Sequence, residues 1–272
     1  MLRPTGRQLV ALLGNHEVLT SDLLVRLTGL PERTVQHYLG LLYRAGLTNR
    51  VRPPREVGTS PYHCWLTAFG AAAIGAEKPG ARSDDLAGVQ ATAALSELWL
   101  SVRDRGKGVG FDLVGWLPSG LSYQDPHTGT IRELPAEAEL IVMSGPPGGR
   151  EMRLLVVART ERVPASRLAA ALARFACFLA ASSDPSAPVL AVLARTPRVA
   201  ERVLRAADTL DEAPAARHLE EGVIATARRR VVVGVIEPHP VGLATEPVWA
   251  TPADRRARRL VDVLVECAGS AK

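Results

Sequence analysis

A chain of 272 residues with 47% hydrophobic and only 4% aromatic content is long enough for two domains, with cores built mainly from Ala, Val and Leu. No run approaches about 18 uninterrupted apolar residues, and the N-terminus lacks the charged-then-apolar layout of a secretory signal, so a cytoplasmic protein without a membrane partner is expected. The net charge of +5 is uneven: residues 1–80 hold 9 Lys+Arg against 5 Asp+Glu, while the remaining 192 hold 24 against 23, which leaves only the N-terminal part with a general electrostatic reason to bind a polyanion. Nearly every basic residue is Arg, with Lys only at 78, 107 and 272, a bias that also reflects composition. Cys64, Cys177 and Cys267 are odd in number and widely spaced, and they read as small buried hydrophobes in a reducing compartment rather than as zinc ligands.

From Thr20 onward the pattern is that of a helix-turn-helix. Thr20 fits the N-cap of a short helix, Gly29 the turn, and Pro31 the start of a second helix that Gly46 ends. Val35, Tyr38, Leu39 and Leu42 form its apolar stripe, leaving Arg33, Thr34, Gln36, His37 and Arg44 on the opposite side. Arg and Gln suit bidentate contacts with guanine and adenine edges in a major groove. Leu47 to Val51 and Tyr62 to Leu66 read as two strands around a wing, with Arg50, Arg52 and Arg55 placed for phosphates or a minor groove. Pro53, Pro54, Gly58 and Pro61 keep that loop from becoming helix, and Thr67 caps a further helix to about Ile74. A three-helix module that binds protein is the plainer alternative.

Residues 76–85 interrupt all periodicity and read as a linker between a winged helix-turn-helix DNA-binding domain, 1–78, and an α/β domain, 86–272. In the second, the expected order is a helix from Leu86 to Arg103, then strands at Gly110–Trp116, Ala138–Ser144 and Arg153–Ala158, the last two as a hairpin. A helix from Pro164 to about Ala181, a buried strand Val189–Leu193, a helix from Pro197 to about Asp208, a strand Arg230–Ile236 and a basic helix Pro252–Cys267 follow. That layout predicts a mixed-sheet α/β fold.

The order of motifs resembles the replication-relaxation family, which pairs an N-terminal winged helix, usually ending in Leu-Thr-x-x-Gly, with a domain related to restriction-endonuclease-like nucleases. Leu66-Thr67-Ala68-Phe69-Gly70 matches the first signature, Pro247-Val248-Trp249 is similar to the family's closing segment, and the resemblance runs along most of the chain. It implies a second domain of restriction-endonuclease-like fold. The family's acidic Pro-Asp pair, its Glu-x-Asp-like pair and its helical Lys fall here on Pro135-Ala136, Val156-Val157-Ala158 and Ala171. A centre of that type needs at least two carboxylates for a divalent cation and a basic group for the water, so the resemblance implies a catalytically inactive domain with no metal and no cofactor.

Other acids offer a weak substitute. Glu137 and Glu139 share a strand, Glu97 lies on the preceding helix, and Glu151 with Arg153 gives a Glu-x-Arg, but Glu137, Glu139 and Asp112 read as solvated strand-edge acids. Gly106, Gly108 and Gly110 precede a strand, so no helix N-terminus would face a phosphate, and His127, His218 and His239 lack an acid or nucleophile at motif spacing. Arg228, Arg229 and Arg230, and Arg255, Arg256, Arg258 and Arg259, read as solvated basic faces that could extend a phosphate footprint or meet an acidic partner. The sequence thus favours a non-enzymatic, sequence-specific double-stranded DNA-binding protein, acting in transcriptional regulation or in plasmid or mobile-element replication or transfer. Its C-terminal domain would serve as scaffold for homodimerisation or a protein partner. The alternatives are a divergent metal-dependent nuclease and a protein–protein interaction module.

Overall fold

The computed structural model describes residues 3–54, 59–76, 85–106, 108, 110–118, 121–125, 128–134, 136–144, 149–158, 163–182, 187–236 and 243–269. They form two compact units, Met1–Glu97 and Leu98–Lys272. Among the described residues no helix is long and apolar enough to cross a membrane.

The first unit begins with a helix that sequence periodicity did not reveal, α1 (Pro4–His16), which buries Leu9, Val10 and Leu13. Strand β1 (Leu19–Thr20) leads into α2 (Ser21–Thr28), where the Thr20 hydroxyl accepts the Leu23 N–H at 3.1 Å as expected of an N-cap. Gly29, at φ +68°, closes α2 in the left-handed region that favours glycine, and α3 (Glu32–Arg44) follows with Pro31 as its cap residue. Val35, Leu39 and Leu42 of α3 are buried while Tyr38 is only half-buried. Strands β2 (Thr48–Val51) and β3 (His63–Leu66) pair antiparallel with Asn49 opposite Trp65, and β1 adds to the other side of β3. This is the order and pairing of a winged helix.

The segment Leu66–Gly70 has a physical task. Thr67 donates its hydroxyl to Gly46 O at 2.6 Å and its N–H to Leu47 O at 3.1 Å, and its Oγ1 accepts the Gly70 N–H at 2.9 Å, capping α4 (Ala68–Ala73). A Cβ on Gly70 would stand 1.9 Å from Leu47 O, so the chain leaving α3 and the first turn of α4 approach more closely than any side chain allows. The 86–97 part of α5 (Leu86–Arg105) belongs to this unit: Val89 and Ala93 pack with Val18 and Trp65, and Ser96 Oγ donates to Val18 O at 3.1 Å.

The second unit is built on a six-stranded mixed sheet. In chain order its strands are β4 (Phe111–Pro118), β7 (Ala138–Ser144), β8 (Arg150–Val157), β9 (Val189–Ala194), β10 (Val231–Val235) and β11 (Trp249–Ala250), arranged β11-β10-β9-β8-β7-β4. A separate hairpin of β5 (Ser122–Gln124) and β6 (Ile131–Glu133) lies between β4 and β7 in sequence. The pairs β4/β7 and β7/β8 are antiparallel, whereas β8/β9 and β9/β10 are parallel and bridged by α6 (Ala165–Ala181) and by α7 (Pro197–Asp208) with α8 (Glu221–Arg229). Every residue of β9 is buried, as its continuous apolar run suggests for a central parallel strand. Leu168, Leu172 and Phe175 of α6 and Val203, Leu204 and Ala207 of α7 join one core with Leu190, Val192, Val231 and Val233. Helix, three strands, helix, strand is the mixed α/β layout expected from the sequence.

Two expectations are corrected. The final helix, α9, spans Leu260–Gly269 rather than starting at Pro252, although it buries Leu260, Val263 and Leu264 as foreseen. Residues 251–258 are held out of helix because the Asp254 N–H is taken by Thr251 Oγ1 at 2.9 Å, the Arg256 N–H by Asp254 Oδ1 at 3.0 Å, and Arg258 bridges back to Trp249. Arg228 and Arg229 end a helix rather than leading directly into a strand, because α8 occupies residues 221–229.

Candidate nucleic-acid interface

Helix α3 offers a polar face because its apolar stripe is consumed by the core. Arg33, His37, Gly40 and Arg44 fall on one ridge at i, i+4, i+7 and i+11, with Thr34 on one flank and Glu32, Gln36 and Tyr43 on the other. Arg33, Gln36, His37 and Arg44 are exposed and Thr34 is half-buried. The His37 ring meets Tyr38 edge-on at 5.5 Å between centroids. One Nε2 hydrogen of Gln36 is already given to Glu32 Oε1 at 2.6 Å.

Arg50 and Arg52 stand at the base of the wing, and Arg55 lies outside the described residues. The Arg50 guanidinium lies 4.7 Å from the Tyr43 ring centroid and 4.5 Å from that of Tyr62, while Arg52 sits 4.0 Å from Tyr62. No local pattern signals this aromatic bracing, because Tyr43 belongs to α3, Arg50 to β2, and Tyr62 to the far side of the wing. A guanidinium stacked on a ring keeps its N–H edge outward and loses less rotamer freedom on meeting a phosphate. Arg50 also draws the Cys64 thiol down slightly, but burial dominates and pushes it up to about 12.

Most arginines of the other basic clusters are committed within the chain. Arg228 pairs with Asp211, Arg255 with Asp208 and with Glu201 at 3.3 Å, Arg258 with Glu266 at 2.5 Å, and Arg259 with Asp262 at 3.1 Å. Arg230 is buried and donates to Ala187 O. Their charge is largely neutralised locally, unlike that of the exposed basic residues of α3.

The acids of the second unit also take structural places. Glu139, expected to be solvated, is only 4% exposed and its Oε1 accepts from Arg153 Nε at 2.5 Å. The two are diagonal neighbours, since Glu139 faces Leu155 across the β7/β8 ladder. Half-buried Glu137 accepts the Ala158 N–H at 2.8 Å, and Asp112 is exposed on the edge strand β4. In the first unit Glu97 pairs with Arg26 at 2.6 Å. Ala136, Val156 and Ala158 are buried, and among the described residues no group of three His, Cys, Asp or Glu side chains could hold a metal ion. His127, His239 and Pro135 lie outside the described residues.

No curated protein and no solved structure matches the chain. The replication-relaxation family model does match, from within α1 through the wing and the Leu66–Gly70 clasp to Leu117 in β4, ending before the segment that holds Ala136, Val156 and Ala158. Over residues 10–117 the chain is similar to the replication-relaxation family.

Proposed function

We propose that this chain is a sequence-specific double-stranded DNA-binding protein, acting in the replication, transfer or transcription of a plasmid or mobile element. The observation that carries the reading is the exposed α3 ridge of Arg33, His37 and Arg44 together with Arg50 and Arg52 braced on Tyr43 and Tyr62. Donors on the helix suit base edges, and braced guanidinium groups on the wing suit phosphates. The second domain serves as scaffold for a homodimer or a protein partner, since one recognition helix covers only a half-site.

The test is a binding titration of the full chain on its selected duplex at several salt concentrations. Affinity should fall steeply with salt, with two chains per site. Arg33→Ala should lose about 1–3 kcal/mol at the preferred site only, whereas Arg52→Ala should weaken all sequences alike and lower the salt slope by about one. An Arg33→Ala, Arg52→Ala double variant that binds as tightly as the parent chain would remove the reading.

The same protein should not cut DNA. Hydrolysis through an oxygen-ligated divalent ion needs carboxylates where this chain has Ala136, Val156 and Ala158, and Glu139 is committed to Arg153. Plasmid and linear DNA carrying the bound site should stay intact with magnesium or manganese. Cleavage that vanishes in a Glu137→Gln, Glu139→Gln variant while binding persists would replace the scaffold by a nuclease.

A further inference from the structure

The face of α3 is not uniformly a donor surface. The Glu32 carboxylate holds the Gln36 Nε2 at 2.6 Å, and both side chains are exposed in the first turns of the helix. That is the part of a recognition helix that enters the groove. A carboxylate has acceptors only, whereas the Gln36 amide, with one of its two Nε2 hydrogens given to Glu32, keeps a carbonyl acceptor and one N–H donor. An acceptor-only group, the Glu32 carboxylate, therefore stands on the flank shared with Tyr43, held there by Gln36.

The major groove sorts bases by the same chemistry. Adenine N6 and cytosine N4 donate, whereas guanine shows N7 and O6, and thymine O4 and a methyl group. A carboxylate bonds the first two and sets lone pairs against the others. The carboxylate also repels phosphates, which weakens binding to DNA at large and widens the difference between right and wrong sites. Arg33, next in sequence, supplies the donors that guanine requires.

We propose that the Glu32 carboxylate, held by Gln36, is a specificity-determining residue that selects a base pair whose amino-bearing base, adenine or cytosine, lies on the contacted strand; this rests on the DNA-binding reading above. The experiment selects duplexes from a random library with the full chain and with Glu32→Gln, whose exposed position leaves folding intact. The parent chain should enrich adenine or cytosine at one position, and replacing that base by a nucleoside lacking only its amino group should weaken binding on the order of ten-fold. Glu32→Gln, which can turn either a donor or an acceptor outward, should erase that preference and bind random duplex more tightly. Guanine or thymine at the position that Glu32→Gln relaxes, or a preference that Glu32→Gln leaves unchanged, would overturn the inference while leaving DNA binding standing. If the parent chain binds no duplex even at low salt, the DNA-binding reading falls and this inference with it.

Discussion

Gly70→Ala is expected to loosen the first unit, against the sign that helix propensity gives. Alanine inside a helix is ordinarily better than glycine by about 1 kcal/mol. Here the added Cβ would lie 1.9 Å from Leu47 O and 2.8 Å from its carbonyl carbon, and a backbone group cannot swing aside as a side-chain tip can. Either α4 or the turn at Gly46–Leu47 must shift, breaking the Thr67 bonds to Gly46 O and Leu47 O that tie them. Overpacking of this kind costs about 1–3 kcal/mol, so the clash outweighs the propensity. Melting of the first unit should fall by about 10 °C, read from the near-ultraviolet dichroism of buried Trp65. An unchanged or higher midpoint would mean that the close approach is not a feature of the folded protein.

Trp249→Ala should cost still more, about 3–5 kcal/mol, in the second unit. The indole is fully buried, its Nε1 donates to Leu243 O at 2.6 Å, and its ring lies flat enough on Gly234 that a Cβ there would meet three ring carbons at 2.9 Å. Gly234 and Trp249 are direct cross-strand partners, so the ring covers the gap the glycine leaves in β10. Alanine would open a cavity and also strand a buried carbonyl; phenylalanine would keep most of the volume and lose only the hydrogen bond, for about 1–2 kcal/mol. Urea denaturation followed by far-ultraviolet dichroism should therefore rank the parent, Trp249→Phe and Trp249→Ala in that order. Equal midpoints for the last two would show that the bond, not the packing, holds β11 in place.

What could be read in advance follows from the range over which each signal acts. The turn glycines, the Thr20 and Thr67 caps and the stripe of Val35, Leu39 and Leu42 are local, and each stands where spacing put it. Helix α1 escaped notice because Arg3 offers no side-chain cap and its apolar set is only Leu9, Val10 and Leu13 with Leu12 beside them. The β5/β6 hairpin escaped because it barely alternates: Ile131 is 78% exposed, so hydrophobicity there does not mark an inner face. At the interface, exposure of Arg33 and Arg44 was legible from helical phase, but the bracing of Arg50 and the locking of Glu139 on Arg153 were not. Those depend on which strands pair and in what register, which no single segment contains.

The three thiols divide unevenly between the units, with Cys64 in the first and Cys177 and Cys267 in the second. All are buried, and burial pushes Cys64 up to about 12 and Cys267 up to about 11, with Cys177 also raised. Because only a thiolate that solvent can reach attacks an alkylating reagent, the native protein holds each in an unreactive form at neutral pH. Alkylation must wait for the backbone around a given cysteine to open, so labelling of Cys64 clocks the breathing of the winged helix and labelling of Cys267 that of the sheet domain. The protein thus carries an internal stopwatch in each of its halves, readable by the mass that an alkylating reagent adds.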